Sequence, residues 1–394
     1  MPKHIDRRLI TILLIIFVQM LGASMILPIL PIYAEREFAM TPRTITLLGT
    51  AFYVAQFLAG PYLGRLSDQV GRVPVLIVSQ IGTVISFIIF AFAPSVGWLF
   101  FARVLDGVTG GNIIVARAYV VDVTDPKERT QSLAYVSAVF GAGFILGPAV
   151  GGLLSAAFTM RTPYLAAAVA AAATVVLTWM TLEEVRDRSS VRPEPLTLRE
   201  ISQNTTLAQY LIIAFVGQFS IGLLQGTFSL FGLRVLMVNY SQQTVDLGIG
   251  LLLAAFGVSQ VLTQMFAVPR LIKKLREKRM VLLGDFVRGL GMIVLALATS
   301  PWLALPGIML MAFGMGTSMP SLNSLTMGAV SEDVRGSVQG VYQSTVNLAI
   351  IISTAIAGWM FEIRPNLPFL FGAAITMLAL FPMMRLMRSR PKIV

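Results

Sequence analysis

The sequence predicts an all-α polytopic membrane protein with twelve transmembrane helices in two pseudo-symmetric six-helix bundles. Three observations support this prediction: the composition, the number of apolar stretches and a weak internal repeat. Of the 394 residues, 56% are hydrophobic and only 12% are charged, and the mean hydropathy is +0.79. A water-soluble domain does not tolerate that balance, whereas a bilayer requires about 20 apolar residues per crossing. The length therefore allows roughly a dozen crossings and excludes a protein with a single anchor.

Stretches with few charges, bounded by charged and turn-forming residues, define the predicted spans. They lie at about 9–34, 45–64, 74–93, 97–121, 131–156, 163–182, 207–234, 246–269, 280–299, 302–328, 337–361 and 366–385. Two divisions rest only on the turn chemistry of proline and serine, at Pro94-Ser95 and at Ser300-Pro301. The first stretch lacks a small-residue cleavage site, so we expect a retained helix and not a signal peptide.

The distribution of basic residues predicts the orientation. With an even number of spans both termini lie on one side, and most of the 30 Lys and Arg residues fall on that side. The opposite side holds only Arg36, Arg43, Arg161, Arg234 and Arg364. By the positive-inside rule we expect an integral protein of the plasma (inner) membrane with both termini in the cytoplasm. The net charge of +11 is thus a topology signal, which favours membrane lipid and not nucleic acid as a partner.

A charged, proline-containing segment divides the chain into two halves. The predicted parts are an N-terminal bundle at 1–182, a cytoplasmic linker at 183–206 and a C-terminal bundle at 207–394. Weak repetition supports the division, because Ala51, Phe52 and Gln56 recur 204 residues later as Ala255, Phe256 and Gln260. Such faint similarity between halves is typical of duplicated transporter folds.

Composition also excludes several kinds of chemistry. The chain has no cysteine and one histidine, His4, which precedes the first apolar stretch. Thiol catalysis, thiolate metal sites and multi-histidine metal sites inside the membrane are therefore ruled out. The P-loop pattern G-x-x-x-x-G-K-[ST] does not occur, so no ATP site is expected. We expect no metal, no cofactor and no enzymatic activity.

The loop between the second and third spans carries a specific motif. Its sequence is Gly64-Arg-Leu-Ser-Asp68-Gln-Val-Gly71-Arg72, which resembles the signature loop of the major facilitator superfamily, G-x-L-x-D-x-x-G-R. The glycines permit a tight turn between helices, and the Asp and Arg place opposite charges at the membrane surface. The resemblance implies a gating role, with Asp68 facing the helix that starts near Gly336. The alternative is a basic loop that only anchors the topology.

The fifth span carries a second motif. It contains Gly143, Gly147, Pro148, Gly151 and Gly152, and it resembles the antiporter motif of drug:proton exchangers in the same superfamily. Small residues on one face allow close helix packing, and the proline permits a bend. Packing without any meaning for the direction of transport is the alternative.

Three shorter matches extend the resemblance over essentially the whole chain. They are Leu27-Pro28-x-x-Pro31, Arg103-x-x-Asp106-Gly107 and Asp122-Val-Thr-Asp125-x-x-x-Arg129. The overall pattern is most similar to tetracycline-efflux-like and multidrug exporters. In that family the position of Asp106 is commonly Gln, so this chain departs from the pattern by placing an acid beside Arg103.

Acids within the spans are scarce, which makes each of them a candidate for proton coupling. Asp106 lies about 14 Å into the fourth span, near the middle of the bilayer, where an ionised carboxylate is costly. It is either a proton carrier or a structural partner of Arg103, three residues away on the same face. Asp285 has the same spacing from Arg288, and structural pairing is favoured there because the ninth span is peripheral in the resembling family. The remaining candidates are Asp122 and Glu35.

The resemblance implies that spans 1, 4, 7 and 10 line a central cavity, with help from 2, 5, 8 and 11. The candidate substrate contacts are mostly neutral amides and apolar side chains in these spans, which avoid a large ionic cost. They are Gln19, Met20, Tyr53, Gln56, Asn112, Gln218, Gln225, Phe228, Gln260, Gln264, Asn323, Gln343 and Asn347. For each amide, interhelical hydrogen bonding is the alternative to substrate contact.

The resulting hypothesis is a secondary active transporter that works by alternating access. We expect it to export a hydrophobic or cationic drug-like small molecule in exchange for protons, and to be a monomer. A facilitator or symporter of a metabolite, sugar or lipid would share the fold and is the first alternative. A non-transporting receptor or a membrane enzyme is a more remote one, because the spans offer little catalytic chemistry.

Overall fold

The computed structural model describes residues 7–110, 112–125, 128–184, 201, 203–331 and 334–388. The side chains of Asn112, Thr130 and Arg388 lie outside that description. Within the described residues the secondary structure is helical, and no strand is present. The prediction of an all-α protein is therefore confirmed.

Among the described residues, seven helices precede the central linker. They are α1 (Arg7–Phe38), α2 (Pro42–Val70), α3 (Arg72–Phe92), α4 (Val96–Thr109), α5 (Asn112–Val123), α6 (Arg129–Ala157) and α7 (Thr162–Thr181). The run Val96–Val123, which comprises α4 and α5, corresponds to the predicted fourth span. Pro42 and Pro163 lie in the first turns of α2 and α7. Proline is tolerated there because the backbone N–H that it lacks would have no partner within the helix.

Most of the linker lies outside the described residues, and seven more helices are described after it. They are α8 (Thr205–Phe231), α9 (Gln242–Leu262), α10 (Val268–Ala296), α11 (Pro301–Met327), α12 (Arg335–Ile363), α13 (Leu367–Leu378) and α14 (Leu380–Arg388). Short π-helical turns, Gly232–Leu236 and Thr263–Ala267, extend α8 and α9.

Eleven helical runs among the described residues are long and apolar enough to cross a membrane. One of them, Gln242–Ala296, has 55 residues and would measure about 80 Å if straight, more than twice the hydrocarbon core. Arg276 interrupts it with φ 60° and ψ 165°, which no α-helix accommodates. The run therefore contains two of the predicted spans, separated within the basic segment 270–279, and the prediction of twelve spans agrees with the helices.

The chain divides into two compact units. The first comprises Met1–Ser190 and Tyr240–Ala254, and the second comprises Val191–Asn239 and Ala255–Val394. The start of α9 thus belongs by its contacts to the first unit. The boundaries predicted at 182 and 207 stay a prediction.

The core of the first unit is apolar and sits between several helices. Ile12 and Ile15 of α1, Leu76 of α3 and Tyr119 of α5 are all 0% exposed and belong to one cluster. The Tyr119 hydroxyl donates a hydrogen bond to the backbone oxygen of Glu183, 3.0 Å away, just beyond α7. Burial of this cluster anchors the end of the unit that carries the loop between α2 and α3.

In the second unit, α10 and α11 pack closely through glycines. A β-carbon built on Gly291 would lie 2.7 Å from the oxygen of Gly307 and 2.7 Å from the nitrogen of Met311. One built on Gly314 would lie 2.6 Å from the nitrogen of Arg288. Because these neighbours are backbone atoms, they cannot rotate away. Contact between backbones is what small residues provide in membrane bundles.

The Gly291→Ala substitution should therefore lower the free energy of unfolding by about 1–3 kcal/mol, because one methyl group overpacks the α10–α11 contact. Gly340→Ala is the matched control, since a β-carbon on Gly340 meets no atom within 4 Å. Alanine is also the better helix former, so the control should be neutral or slightly stabilising. Thermal unfolding in detergent measures both. Equal melting temperatures for the two variants would contradict the packing argument.

Candidate functional site

The loop between α2 and α3 is a single tight turn. The only residue of this loop outside the helices is Gly71. Its backbone φ is 123°, which residues other than glycine rarely adopt. The backbone N–H of Gly71 donates to the oxygen of Ser67 at 3.1 Å and closes α2. The turn places Asp68 and Arg72 one helical turn apart on opposite sides of the glycine.

Arg72 is the centre of a polar network at this end of the unit. Its guanidinium lies 2.6 Å from the carboxylate of Asp68 and donates to Asp122 of α5 at 2.9 Å. It also donates to the hydroxyl of Ser67 at 2.7 Å. The side chain of Arg72 is only 14% exposed. These charge-assisted bonds therefore connect α2, α3 and α5 in a site that is largely shielded from solvent. Asp122, a predicted proton-coupling residue, is thus a partner of the signature loop.

Glu184 completes the network and was not predicted from the sequence. The backbone N–H groups of Arg72 and Val73 donate to its two carboxylate oxygens at 2.8 and 2.9 Å. Glu184 therefore caps the start of α3, where unpaired N–H groups and the helix dipole favour a negative charge. A β-carbon on Gly71 would lie 2.7 Å from this carboxylate, which is a second reason for glycine there. The only signal in the sequence is an acid directly after the sixth span.

The antiporter motif of α6 presents one face to α1. A β-carbon on Gly143 would lie 2.9 Å from the oxygen of Phe17, and β-carbons on Gly147 and Gly151 would overlap Ser24 and Met25. The hydroxyl of Ser24 donates to the oxygen of Gly143 at 2.9 Å. The close packing predicted for the motif is present along α1, while its meaning for transport stays a prediction.

The same motif presents a second face to the start of α9. A β-carbon on Gly152 would lie 2.7 Å from the oxygen of Asp246, and one on Gly250 would lie 2.5 Å from the oxygen of Pro148. The helix continues through Pro148 without a break. Gly147 and Gly151 thus pack against α1, whereas Pro148 and Gly152 pack against α9.

The predicted pair of Arg103 and Asp106 forms within α4. An Nη1 atom of Arg103 lies 3.3 Å from Oδ2 of Asp106, and the two residues are 9% and 6% exposed. The guanidinium carbon lies 5.1 Å from the ring centroid of Phe52 and 5.5 Å from that of Phe90. Aromatic faces stabilise the cation, so one ion pair and two rings surround the charge.

The position of α4 is fixed by its contact with α2. A β-carbon on Gly107 would lie 2.8 Å from that of Ala55, so the helices touch beside the ion pair. The side-chain amide of Gln56 donates to the oxygen of Gly110 at 3.3 Å. Gln56, a predicted substrate contact, is therefore engaged in the packing of these helices.

The second unit contains a deeper ion pair in α10. Arg288 and Asp285 are 2.9 Å apart, and each side chain is 1% exposed. The hydroxyl of Ser318 on α11 donates to Asp285 at 2.5 Å, and a β-carbon on Gly217 of α8 would lie 2.9 Å from the Arg288 guanidinium. The predicted structural pairing is present, and a role of Asp285 in proton coupling stays a prediction.

The first unit holds another buried acid at the opposite end from the signature loop. Asp246 of α9 accepts a hydrogen bond from Ser155 of α6 at 2.7 Å, and Arg36 of α1 lies 3.6 Å away. Asp246 is 1% exposed. It was not among the acids predicted to couple protons, although Glu35 and Asp122 stand equally near span ends. Glu35, which was selected, lies half-buried beside Arg36.

The candidate substrate contacts have varied surroundings. Phe228 is 1% exposed and Gln218 is 9% exposed, whereas Gln264 and Gln343 are exposed. The amide of Gln343 donates to Asn347 at 3.1 Å, one turn along α12. The half-buried members are Gln19, Met20, Tyr53, Gln56, Gln225, Gln260, Asn323 and Asn347. The side chain of Asn112 lies outside the described residues, and substrate contact stays a prediction for the whole set.

The cap on α3 generates a stability prediction. Replacement of Glu184 by Ala should lower the free energy of unfolding by about 1 kcal/mol, because two N–H groups lose their acceptor. The neighbouring Glu183→Ala is the control: its side chain is 71% exposed and only forms an ion pair with Arg8. Such surface pairs contribute about 0–1 kcal/mol. Thermal unfolding of both variants in detergent is the measurement, and a control that loses as much as Glu184→Ala would refute the cap.

Comparison with known proteins agrees with this architecture. The chain matches the profile of the Major Facilitator Superfamily over residues 12–244 and 223–394. It is 32% identical to the tetracycline resistance protein, class C, of Escherichia coli, over 95% of this chain and 96% of that protein. It is 28% identical to multidrug resistance protein 2 of Bacillus subtilis (strain 168), over 96% of each chain.

Solved structures show the same fold at lower identity. The nucleoside transporter NupG superimposes with a TM-score of 0.78 at 14% identity, covering 98% of this chain and 100% of that one. The human organic anion transporter MFSD10 (TETRAN) gives a TM-score of 0.68 at 20% identity, covering 96% and 99%. The profile match, the relatives and the twelve apolar segments lead to one conclusion: the chain belongs to the Major Facilitator Superfamily and is an integral membrane transporter, not an enzyme.

Proposed function

We propose that this protein exports hydrophobic or cationic drug-like small molecules in exchange for protons by alternating access. Relatives over nearly the full length are named for resistance to tetracycline and to multiple drugs, which supports this substrate class. The glycine-rich face of α6, which resembles the antiporter motif, supports exchange over symport. We expect the protein to work as a monomer in the plasma membrane. The distribution of basic residues predicts that both termini lie in the cytoplasm.

The observation that carries the proposal is the buried pair of Asp106 and Arg103. The acid is 6% exposed in the middle part of a predicted span, where an ionised carboxylate is costly unless a cation neutralises it. Protonation of Asp106 makes the carboxyl neutral and leaves the arginine charge to the rings of Phe52 and Phe90. Two protonation states of similar free energy are what a reversible proton carrier needs.

The network around Arg72 supplies the proposed cytoplasmic gate. It joins α2, α3 and α5 through Asp68, Asp122 and the cap at Glu184. A contact of Asp68 with the start of α12, near Gly336, is the remaining part of the gating hypothesis. Closure on the cytoplasmic side in one conformation and release in the other is the role proposed for the loop.

Transport into proteoliposomes tests the proposal. Purified protein is reconstituted, a pH gradient is imposed, and accumulation of tetracycline and of the cationic dye ethidium is measured. Accumulation against a concentration gradient that collapses when a protonophore is added supports proton exchange. Transport that only equilibrates the dye, with or without the pH gradient, indicates a facilitator and contradicts the proposal.

Replacement of Asp106 by Asn should abolish accumulation driven by the pH gradient. Downhill exchange of preloaded dye should survive, because the neutral amide mimics the protonated acid and can still support substrate binding. Counterflow in the same vesicles measures this second activity.

A double variant distinguishes proton coupling by Asp106 from a purely structural pairing with Arg103. If Asp106 only neutralises Arg103, the single replacement leaves a buried cation without its carboxylate, and Arg103→Gln combined with Asp106→Asn restores the protein. The double variant should regain thermal stability but not gradient-driven accumulation. Accumulation at the wild-type level by the double variant would rule out coupling through Asp106.

The Asp68→Asn replacement should reduce transport to a small fraction of the wild-type rate without unfolding the protein. Arg72 keeps Asp122, so the loop retains its shape but loses one charge of the gate. The neighbouring Gln69→Ala is the matched control, since Gln69 is exposed on the same turn. Rates of dye transport at equal protein amounts decide the matter, and a normal rate for Asp68→Asn would remove the loop from gating.

A further inference from the structure

Asp246 is held by two other helices of the first unit. Ser155 of α6 donates to its Oδ2 at 2.7 Å, and the guanidinium of Arg36, from the last turn of α1, lies 3.6 Å from its Oδ1. That oxygen accepts no hydrogen bond from any described residue. A buried carboxylate is usually stabilised by several donors, so this one has an incomplete set.

The charged surroundings of Asp246 are simple. Among the described residues, Arg36 on α1 is the charged group that acts on it. Ser155 is the polar contribution of α6, and the nearby first turn of α9 adds only the neutral Gln242 and Gln243. The Arg36 side chain is 25% exposed, whereas that of Asp246 is 1% exposed. The ion pair thus has one end near solvent and the other in the interior.

A cavity of about 390 Å³ adjoins the acid. Its lining includes Ser155, Ala156, Ser241, Gln242, Gln243 and Asp246. Hydroxyl and amide groups dominate its polar surface, and several of the lining residues are exposed. The volume exceeds that of several water molecules, so water from the solution on this side can approach Asp246. In the proposed orientation this side is the non-cytoplasmic one.

We propose that Asp246 is a second proton-binding site, loaded from the non-cytoplasmic solution, and that its protonation releases the start of α9 from α1 and α6. A proton from the solution adds to Oδ1 and converts the carboxylate to a neutral carboxylic acid. Arg36 keeps its charge and loses its attraction to Asp246, and the Ser155 bond loses its ionic acceptor. The inference rests on the proposed proton-driven function, because it supplies the outer end of the proton path.

The backbone packing around Asp246 makes such a release effective. The oxygen of Asp246 would lie 2.7 Å from a β-carbon on Gly152, and Gly250 meets Pro148 one turn further along. This contact between glycine backbones is held by shape and dispersion alone. The polar bonds of Asp246 are therefore the part of the contact that a proton can switch off.

The test uses the absence of native cysteine. A single Ala156→Cys reporter is placed in the cavity wall of the full-length protein in right-side-out vesicles. Its rate of modification by a membrane-impermeant methanethiosulfonate is measured at neutral and mildly acidic external pH. Pro365→Cys, in the exposed loop after α12, corrects for the pH dependence of the reagent. The corrected rate should rise about tenfold on acidification, as expected when a two-state contact loses one charge-assisted bond.

Variants identify the responsible group. Asp246→Asn in the reporter background should react at the fast rate at both pH values, and Asp246→Glu should retain the pH response. Arg36→Gln should raise the rate at neutral pH. An Asp246→Asn protein that still responds to pH, or a parent that does not respond, would overturn the proposal. If Asp246→Asn fails to fold, a rate at neutral pH that Arg36→Gln leaves unchanged overturns it equally.

The labelling assay distinguishes a failure of this inference from a failure of the proposed function, because no substrate is present in it. Asp106→Asn should lose gradient-driven transport and keep the labelling response. If dye accumulation ignores the pH gradient while labelling follows Asp246, the proposed function fails and the proton site stands. If dye accumulates with the gradient and labelling is insensitive to pH, only the role of Asp246 fails.

Discussion

The cost of burying charge in an apolar bundle is the constraint that shapes this protein's candidate sites. Three arginine–aspartate pairs illustrate it: Arg103 with Asp106, Arg288 with Asp285 and Arg36 with Asp246. In each of the first two pairs the partners stand three residues apart in the same helix, α4 or α10. The third pair joins α1 to α9. A pair within one helix moves with that helix and keeps its geometry when helices shift. A pair between helices lengthens when they separate, so it suits a contact that must open.

Close backbone contact through glycine is the second constraint. Helix α6 provides such contacts and also a hydrogen bond to a buried acid. Gly147 and Gly151 bring α6 against α1, while Gly152 brings it against the start of α9. Ser155, one turn after Gly152, then reaches Asp246. Because lipid offers no hydrophobic drive for helix association, shape and a few polar bonds hold such contacts together. The motif that resembles an antiporter signature therefore lies directly beside an acid that a proton can neutralise.

The sequence predicted the spans and the local motifs well because both are local properties. Each crossing needs a long apolar window, and a tight loop such as that at Gly71 needs glycine and charge at fixed spacing. The pairs at Asp106 and Asp285 were predictable from a spacing of three residues on a helix. Glu184 was not, since it lies 112 residues from Arg72 along the chain, and Asp246 lies 91 residues from Ser155. Tertiary packing brings them together, and composition carries no record of it.

Two consecutive helices, α4 and α5, connect Asp106 with the signature loop. Val96–Val123 carries Asp106 in its first half, and Asp122 at its end accepts a hydrogen bond from Arg72. The two acids are separated by 16 residues in the sequence and lie on the consecutive helices α4 and α5. In the proposed mechanism, a shift of α4 when Asp106 gains or loses a proton acts on α5, the next helix of the chain, and so on the contact between Asp122 and Arg72. The link that we propose between proton binding and gating is then this pair of helices, with α4 held against α2 at Gly107 and α5 held against α3 through Arg72.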